Sequence, residues 1–589
     1  MNKTITGGQL IFNKLLQYKV QDAFLYSGGA IMPLIDKFYN QNKINYYIHT
    51  HEQNLGHAAT GYARSTGKVG ICIVTSGPGL TNMVTPMLDA QNDSTPLIIF
   101  SGQVPLSAIG TNAFQEAPST NITKPFTKMS KLCTSINDLS YIVDHAFYIA
   151  RTGKPGVVHI DLPKCILSSQ IDINTVNNQD KYHYFINTKK NIIDSNINYD
   201  KISDLINNSK KPVIYAGQGV NNSINELNTF IQKSNIPITT TIHAMGSYDE
   251  QKPLSLKFVG MHGNYAANKA IQESDCIIAL GSRFDDRTTG NLYKYAPKAI
   301  EAYDKGSGGI IQCNIKTNEH PSSIPVHYSV NTDCKIFLTE LNKKIKYNDY
   351  TSWITYLNNL KIKHPFQTNF NLPNNKITSQ DVLIELNKQL KNKNIDYIIT
   401  TGVGNHQMFT AQFIEWKKPK TFISSGSLGV MGFGLPAAIG CGIGNPSKQI
   451  INIDGDGSFL MTMPDMKTLK QHNINNVKII ILNNNTLGMV DIWENLFFDG
   501  RITATDNKHA PDFYKIAKNF GLKSSYCDSK YNLKKTIHKF LNCKTNILAE
   551  FKVQHTPCFP LVAPGAALDN VIMNKNDIED INTNVLPPS

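Results

Sequence analysis

Two polar groups at the ends of apolar runs are the first candidates for chemistry. Asp456, in Gly455-Asp456-Gly457, follows the run 449–454, and Asn484, in Asn483-Asn484-Asn485, follows the run 477–482. An Asp carboxylate with an Asn amide oxygen and a main-chain carbonyl is a hard-oxygen set. It suits magnesium, which takes few protein ligands and completes its shell with substrate phosphates and water. The turn at 455–457 can also aim backbone amides at a phosphate. Such a set works only if the two runs end at one place. Both read as buried strands, and the segment between them, with Leu460, Met463, Met466 and Leu469 at helical spacing, reads as a crossover helix. Parallel strands joined in this way bring both C-terminal ends to one sheet edge, where α/β proteins hold ligands.

A second carboxylate, Glu52, stands just before a helical pattern with Gly56, Ala59 and Ala63 on one side. The strand that follows, 69–74, ends in Ser76-Gly77-Pro78-Gly79. A carboxylate there is held rigidly in semi-apolar surroundings, or, more plainly, is a charge near a helix N-terminus. The arginines give another signal, because only five of the 58 basic residues are arginine: Arg64, Arg151, Arg283, Arg287 and Arg501. A chain that uses lysine wherever lysine will do keeps arginine for planar, bidentate contacts. Arg283 and Arg287 crowd one loop with Asp285 and Asp286, after the strand 276–280 and Gly281. Gly217-Gln218-Gly219, after the strand in KKPVIYA, is by itself a weak dinucleotide signal.

GDG followed by NN resembles the cofactor signature of thiamine diphosphate enzymes, and His51-Glu52-Gln53 resembles the element carrying their cofactor glutamate. SGQVPLSAIGTNAFQEAP at 101–118, MHG at 261–263 and RFDDR at 283–287 narrow the resemblance to acetohydroxyacid synthase, close to its fungal form. It runs from about residue 5 to 570 with the motifs in the same order.

The resemblance implies three cofactors: thiamine diphosphate, Mg2+ and FAD. By it, Asp456, Asn484 and the Thr486 carbonyl bind the metal, and Glu52 bonds the aminopyrimidine. Gly29, Gly404, Asn405, His406, Gly455, Gly457, Ser458 and Met489 surround thiamine diphosphate, with Met431 supporting its V shape. Phe114 and Gln115 line the channel together with Lys164. Arg287 binds the carboxylate of the second 2-oxoacid, and Trp493 sizes the acceptor. FAD, structural in this family, is implied to contact Lys154, Gly217, Met261, His262, Gly263, Gly281, Arg283 and Asp285. The family usually shows Arg at Lys154, Gln at Asn405, Gly at Ser427 and Gln at Ile492, so the chain departs from it there.

Composition fits that reading. The 589 residues, 41% hydrophobic and 17% charged, read as soluble and globular with no spanning run. The formal charge of +13 comes from lysines scattered among asparagines, without the stripe that nucleic acid demands. Ten cysteines without a CxxC pair read as reduced, buried and intracellular. The N-terminus shows no targeting segment, so the chain reads as cytoplasmic as it stands, and as organellar if a transit peptide precedes it.

The expected architecture is α/β, with three doubly wound, mostly parallel-sheet domains. Residues 1–170 form a pyrimidine-binding domain, 195–345 an FAD domain and 375–560 a diphosphate-binding domain. Polar linkers are expected near 168–199 and 343–375, and 561–589 forms a tail whose first part closes over the active site and whose last twenty residues are disordered. The implied reaction is acetolactate synthesis: pyruvate is decarboxylated on thiamine diphosphate, and the two-carbon unit joins pyruvate or 2-oxobutanoate, for branched-chain amino acids. The implied assembly is a homodimer or homotetramer with the thiamine site across an interface, and a regulatory small subunit stays open. The alternatives are another thiamine carboligase or decarboxylase and an inactive paralogue serving as a scaffold.

Overall fold

Runs such as PVIYA (212–216), CIIAL (276–280) and VKIIIL (477–482) are apolar at nearly every position, as strands covered by helices on both faces must be. The computed structural model describes residues 4–187, 197–316, 323–370, 372–373, 375–574 and 577. It sets these runs near the centres of six-stranded parallel sheets, three in all among the described residues. The first sheet runs Asn45–Ile48, Asp22–Leu25, Gly70–Val74, Leu97–Gln103, Val157–Pro163, Met129–Leu132. The third runs Phe422–Ser424, Tyr397–Thr401, Gln449–Gly455, Val477–Asn483, Ile547–Lys552, Lys523–Cys527. Numbered within each sheet, both have the order 2-1-3-4-6-5.

The middle sheet differs. Its strands Ser255–Phe258, Ile238–Thr240, Pro212–Ala216, Cys276–Leu280, Gly309–Asn314 and Tyr328–Asn331 have the order 3-2-1-4-5-6. In doubly wound sheets a crevice opens beyond the strand C-termini where the order reverses. Here it opens between Pro212–Ala216 and Cys276–Leu280. In the outer sheets it opens beside the strand leading to Gly28 and beside the strand leading to Asp456.

Four expectations need correction. Residues 170–187, expected as linker, fold onto the first domain: Gln170–Asp172 pairs with Thr4–Thr6, and Lys14 reaches Asp180 at 3.0 Å. Residues 188–196 of that linker lie outside the described residues, and its end at Tyr199 already opens the helix Tyr199–Asn208. The stretch 343–375 contains the helix Thr351–Lys363, whose buried Trp353 donates from Nε1 to the Pro212 carbonyl at 3.1 Å, so a lysine-rich composition hid a core helix. The tail is not separate as far as residue 574. Leu561–Val562 pairs with Val571–Ile572, and Phe559, Leu561, Ala566 and Leu568 lie in the middle-domain core. The crossover after Asp456 is not one helix. Asp456–Leu460, a turn at Met463–Asp465 and Met466–Gln471 succeed one another, bent where Pro464 enters.

That bend joins domains. The carboxylate of Asp465 takes His49 Nδ1 at 2.8 Å and the Thr50 amide at 3.2 Å. Nearby, Glu52–Thr66 crosses Gly434–Gly444 so closely that a Cβ on Gly61 would run into the Ala437 carbonyl, and one on Gly440 into that of Ala58. The small residues of the first helix serve this contact and the packing of Gly56 on Pro86.

Candidate active site

The third-domain crevice is lined by bare backbone and unpaired polar atoms. Gly404, at φ +146°, precedes Asn405–Phe413. Asn405 and His406 are both buried, yet neither amide atom of Asn405 has a hydrogen-bond partner, and His406 Nε2 lies 3.3 Å from Asp454 Oδ1 without hydrogen-bond geometry. Buried polar groups are nearly always paired, so such orphans mark a place where a polar ligand completes the bonding. A Cβ on Gly455 would fall 2.7 Å from His406 Nδ1, and one on Gly457 would run into Leu487 with Met431 Cε at 3.7 Å. The 455–457 backbone is therefore closely flanked, by an imidazole at Gly455 and by an apolar wedge at Gly457, and a Cβ at either position would have to displace its neighbour. Ser458 Oγ accepts the Gly432 amide at 2.9 Å and so fixes the turn beside Met431.

Asp456 is 1% exposed, and its Oδ2 accepts Asn507 Nδ2 at 2.8 Å. Burial pushes its carboxyl up to about 6, against the pull of Asn507 and the positive charges nearby. A cation at that oxygen would restore the ionised form. Asn484 follows the neighbouring strand. Its Oδ1 accepts the Thr486 amide at 3.2 Å, and its Nδ2 faces His555 Nδ1 at 3.2 Å. Gly455 pairs with Leu482, so Asp456 and Asn484, with Thr486 two residues on, follow neighbouring strand ends and form the candidate oxygen set. The helix Gly488–Phe497 then presents Met489 and Trp493, both half-buried, with Trp493 edge-on to Phe497 at 5.5 Å.

In the first domain the strand C-termini gather a second set. Glu52 is 9% exposed, and its Oε2 accepts Asn82 Nδ2 at 2.9 Å. Gln115 sits in the left-handed region at φ +60°, with its carbonyl 2.8 Å from where a Cβ on Gly77 would be. Phe114 beside it is 88% exposed. A Cβ on Gly29 would meet nothing within 4 Å, whereas Gly28 presses on Thr75. Lys164 is exposed at the start of Lys164–Ser168.

In the middle domain Gly217 and Gly281 meet at the strand reversal, where a Cβ on Gly217 would run into the Gly281 carbonyl. That crevice has the order and the bare backbone that dinucleotides use. Asp285 is half-buried, and burial raises its carboxyl above the usual range. The MHG and RFDDR loops are joined: the Met261 amide donates to the Arg287 carbonyl at 2.8 Å, while the Arg287 side chain stays exposed with Nη1 4.0 Å from Met261 Sδ. Lys154 lies on the turn where Lys128 Nζ donates to its carbonyl at 2.7 Å.

Two side chains expected at the flavin have other tasks. His262 is buried with Nδ1 3.1 Å from the Cys558 and Pro560 carbonyls, so it anchors the tail, and burial holds its imidazole down to about 4. Arg283 ties three domains together, donating to the Asn92 carbonyl at 3.0 Å and to Ser427 Oγ at 2.5 Å. Beside it Asp93 accepts the Gly426 amide at 2.9 Å and lies 3.1 Å from His243 Nε2. His243 and Arg64 hold its carboxyl well below the usual range against the opposing effect of burial.

The sequence reading missed Asn82, Leu487, Asp491, Asn507 and His555. None was part of a motif read from the sequence, and only Asp491, a titratable residue between Met489 and Trp493, offered a signal.

Three family models match this chain: the N-terminal TPP binding domain of thiamine pyrophosphate enzymes at 5–122, their central domain at 199–341 and their C-terminal TPP binding domain at 402–551. The chain is 40% identical to the mitochondrial acetolactate synthase catalytic subunit of Saccharomyces cerevisiae, over 98% of its own length and 85% of that protein's. It is 39% identical to the mitochondrial acetolactate synthase of Schizosaccharomyces pombe, with 97% and 87% covered. To the chloroplastic acetolactate synthase 1 of Nicotiana tabacum it is 36% identical, with 96% and 84% covered. No described helix is long and apolar enough to cross a membrane.

Proposed function

This chain belongs to the acetolactate synthases of the thiamine pyrophosphate enzyme family, and from that membership we propose how its residues divide the work. Asp456, Asn484 and the Thr486 carbonyl would hold Mg2+. Gly404, Asn405, His406, Gly455, Gly457 and Ser458 would receive the diphosphate. The observation that carries this is the buried, unpartnered amide of Asn405 in the same crevice as Gly455–Gly457 and Asp456. Thiamine diphosphate, when bound, supplies the electron sink for loss of carbon dioxide from pyruvate and transfer of the two-carbon unit to a second 2-oxoacid.

Glu52 would hydrogen-bond the aminopyrimidine, and Asn82 fixes one of its oxygens. Met431, Leu487 and Met489 exclude water above the glycine turn. Gly29 leaves the first-domain crevice open. Arg287 is exposed and charged, so it can take the acceptor's carboxylate in the bidentate form that guanidinium favours. Trp493, with Phe114, Gln115 and Lys164 on the channel side, limits acceptor size to pyruvate or 2-oxobutanoate. FAD would lie across Gly217 and Gly281 with Asp285, Lys154, Met261 and Gly263 around it. Arg283 would approach the flavin only beside its interdomain bonds, and His262 only through the loop it anchors.

Glu52 and Asp456 each have a partner within their own domain. Phe114, Met461 at 59% and Val490 at 49% expose apolar surface around the site segments. These exposures support a homodimer in which a second copy covers that surface and completes the site. The relatives named catalytic subunits support a separate regulatory partner. The deciding experiment measures acetolactate from pyruvate with thiamine diphosphate, Mg2+ and FAD added singly and together. Product that requires thiamine diphosphate and Mg2+ supports the reading, and its absence with all three present sinks it in favour of a scaffold.

A further inference from the structure

We propose that Asp491 and His555 are positioning residues that decide which atom of the Asn484 amide faces the cation. The inference rests on the reading of Asn484 as a metal ligand.

The three side chains come from three parts of the chain. Asn484 follows Val477–Asn483, Asp491 lies on Gly488–Phe497, and His555 lies beyond Ile547–Lys552. His555 Nε2 is 2.7 Å from Asp491 Oδ1, and His555 Nδ1 is 3.2 Å from Asn484 Nδ2. A neutral imidazole carries one donor and one acceptor. The Asp491 carboxylate, 2.7 Å from Nε2, favours the tautomer that carries its proton there, and Nδ1 then keeps its lone pair toward the Asn484 NH2 group. Only the NH2 end of the Asn484 amide satisfies that lone pair. Were the amide turned over, Oδ1 would face the Nδ1 lone pair and the NH2 group would face the cation, which is unfavourable at both ends. The Thr486 amide, donating to Asn484 Oδ1 at 3.2 Å, supports the same orientation.

The arrangement is tightly packed. Gly488 opens the Asp491 helix, and a Cβ there would lie 2.7 Å from Asn405 Nδ2, 2.8 Å from Asn484 Nδ2 and 3.2 Å from His555 Cε1. Outer partners that orient a metal's ligands typically change its affinity about ten- to hundredfold when removed. Asp491 also lies two residues before Trp493, so the tether links the metal ligand to the helix that carries the acceptor-sizing indole.

The test titrates Mg2+ against full-length protein and reads thiamine diphosphate binding by calorimetry, with thermal melts of the cofactor-free proteins as a folding control. His555→Ala should raise the half-saturating Mg2+ concentration by about ten- to hundredfold, and Asp491→Ala should raise it in the same direction. His555→Asn keeps an acceptor where Nδ1 stands and should recover most of that affinity. In its presence Asp491→Ala should have little further effect, because no tautomer remains to be fixed. Asp456→Ala separates the two possible failures. If Asp456→Ala abolishes Mg2+-dependent binding while His555→Ala shifts it less than about twofold, against the larger change expected of an orienting partner, the positioning role is overturned and the metal site stands. If Asp456→Ala leaves binding intact, the metal assignment falls and this inference with it.

Discussion

Gly219 and Gly281 meet backbone against backbone: a Cβ on Gly281 would lie 2.5 Å from the Gly219 Cα, and Gly281 already sits at φ +61°. Both strand ends at the reversal of the middle sheet are therefore closed to side chains. Gly281→Ala would be strained by its backbone angle and would push the two loops apart. We expect purified wild-type protein to be yellow and Gly281→Ala to lose most of its absorbance near about 450 nm, where a bound flavin absorbs. Thiamine diphosphate binding, in another domain, should persist. A variant that keeps full flavin content would move the flavin site elsewhere.

Asp456 sets ligand binding against stability. Its carboxyl is raised by burial to about 6 from an ordinary 3.8. The folded state thus holds this proton more tightly than the unfolded chain, and stability contributed by the group is lost as pH rises from about 4 through 6. Cofactor-free Asp456→Asn should therefore melt at or above wild type near pH ~7.5, with the difference vanishing below about pH 4. The same variant should lose Mg2+-dependent thiamine diphosphate binding. Melting well below wild type at the higher pH would show instead that the carboxylate supports the apo fold.

A site completed by a second copy can be rescued by mixing. Glu52→Gln and Asp456→Ala proteins, each inactive, should together recover about a quarter of wild-type activity once subunits exchange, since about half of random dimers are mixed and each has one intact site. Demonstrated exchange with no recovered activity would show that each chain builds its own site.

Trp493, half-buried against Phe497, limits the acceptor in the proposed function. Removing such bulk changes discrimination by about one to three kcal/mol, roughly ten- to two-hundredfold. Trp493→Leu should therefore shift competition between pyruvate and 2-oxobutanoate by about tenfold or more, with the rate on pyruvate alone changed far less. Unchanged product ratios would return Trp493 to simple packing.

The strands were readable because burial on both faces makes them continuous apolar runs, as at 276–280 and 477–482. Strand order was not readable in that way. The same local pattern yields 2-1-3-4-6-5 in the outer sheets and 3-2-1-4-5-6 in the middle one, and long-range pairing decides between them. Trp353 shows how a single buried aromatic can anchor a helix in a stretch whose lysines and asparagines suggest a linker. At the candidate site the placing of Asp456 and Asn484 at the ends of neighbouring parallel strands was legible, because each follows a local run of apolar residues that ends in a polar turn. Asn507 and His555 were not, since each reaches its partner from a distant segment with no local spacing to betray it.

The pairing of the chain's far end with the middle-domain core has a consequence in time. Phe559, Leu561 and Leu568 complete a core whose other members end near Leu357. During synthesis roughly 200 residues separate the two, on the order of ten seconds or more of elongation. Through that interval the middle sheet must wait with an apolar flank uncovered, and a ribosome stalled before Phe559 would release a protein with two finished outer domains and an open centre.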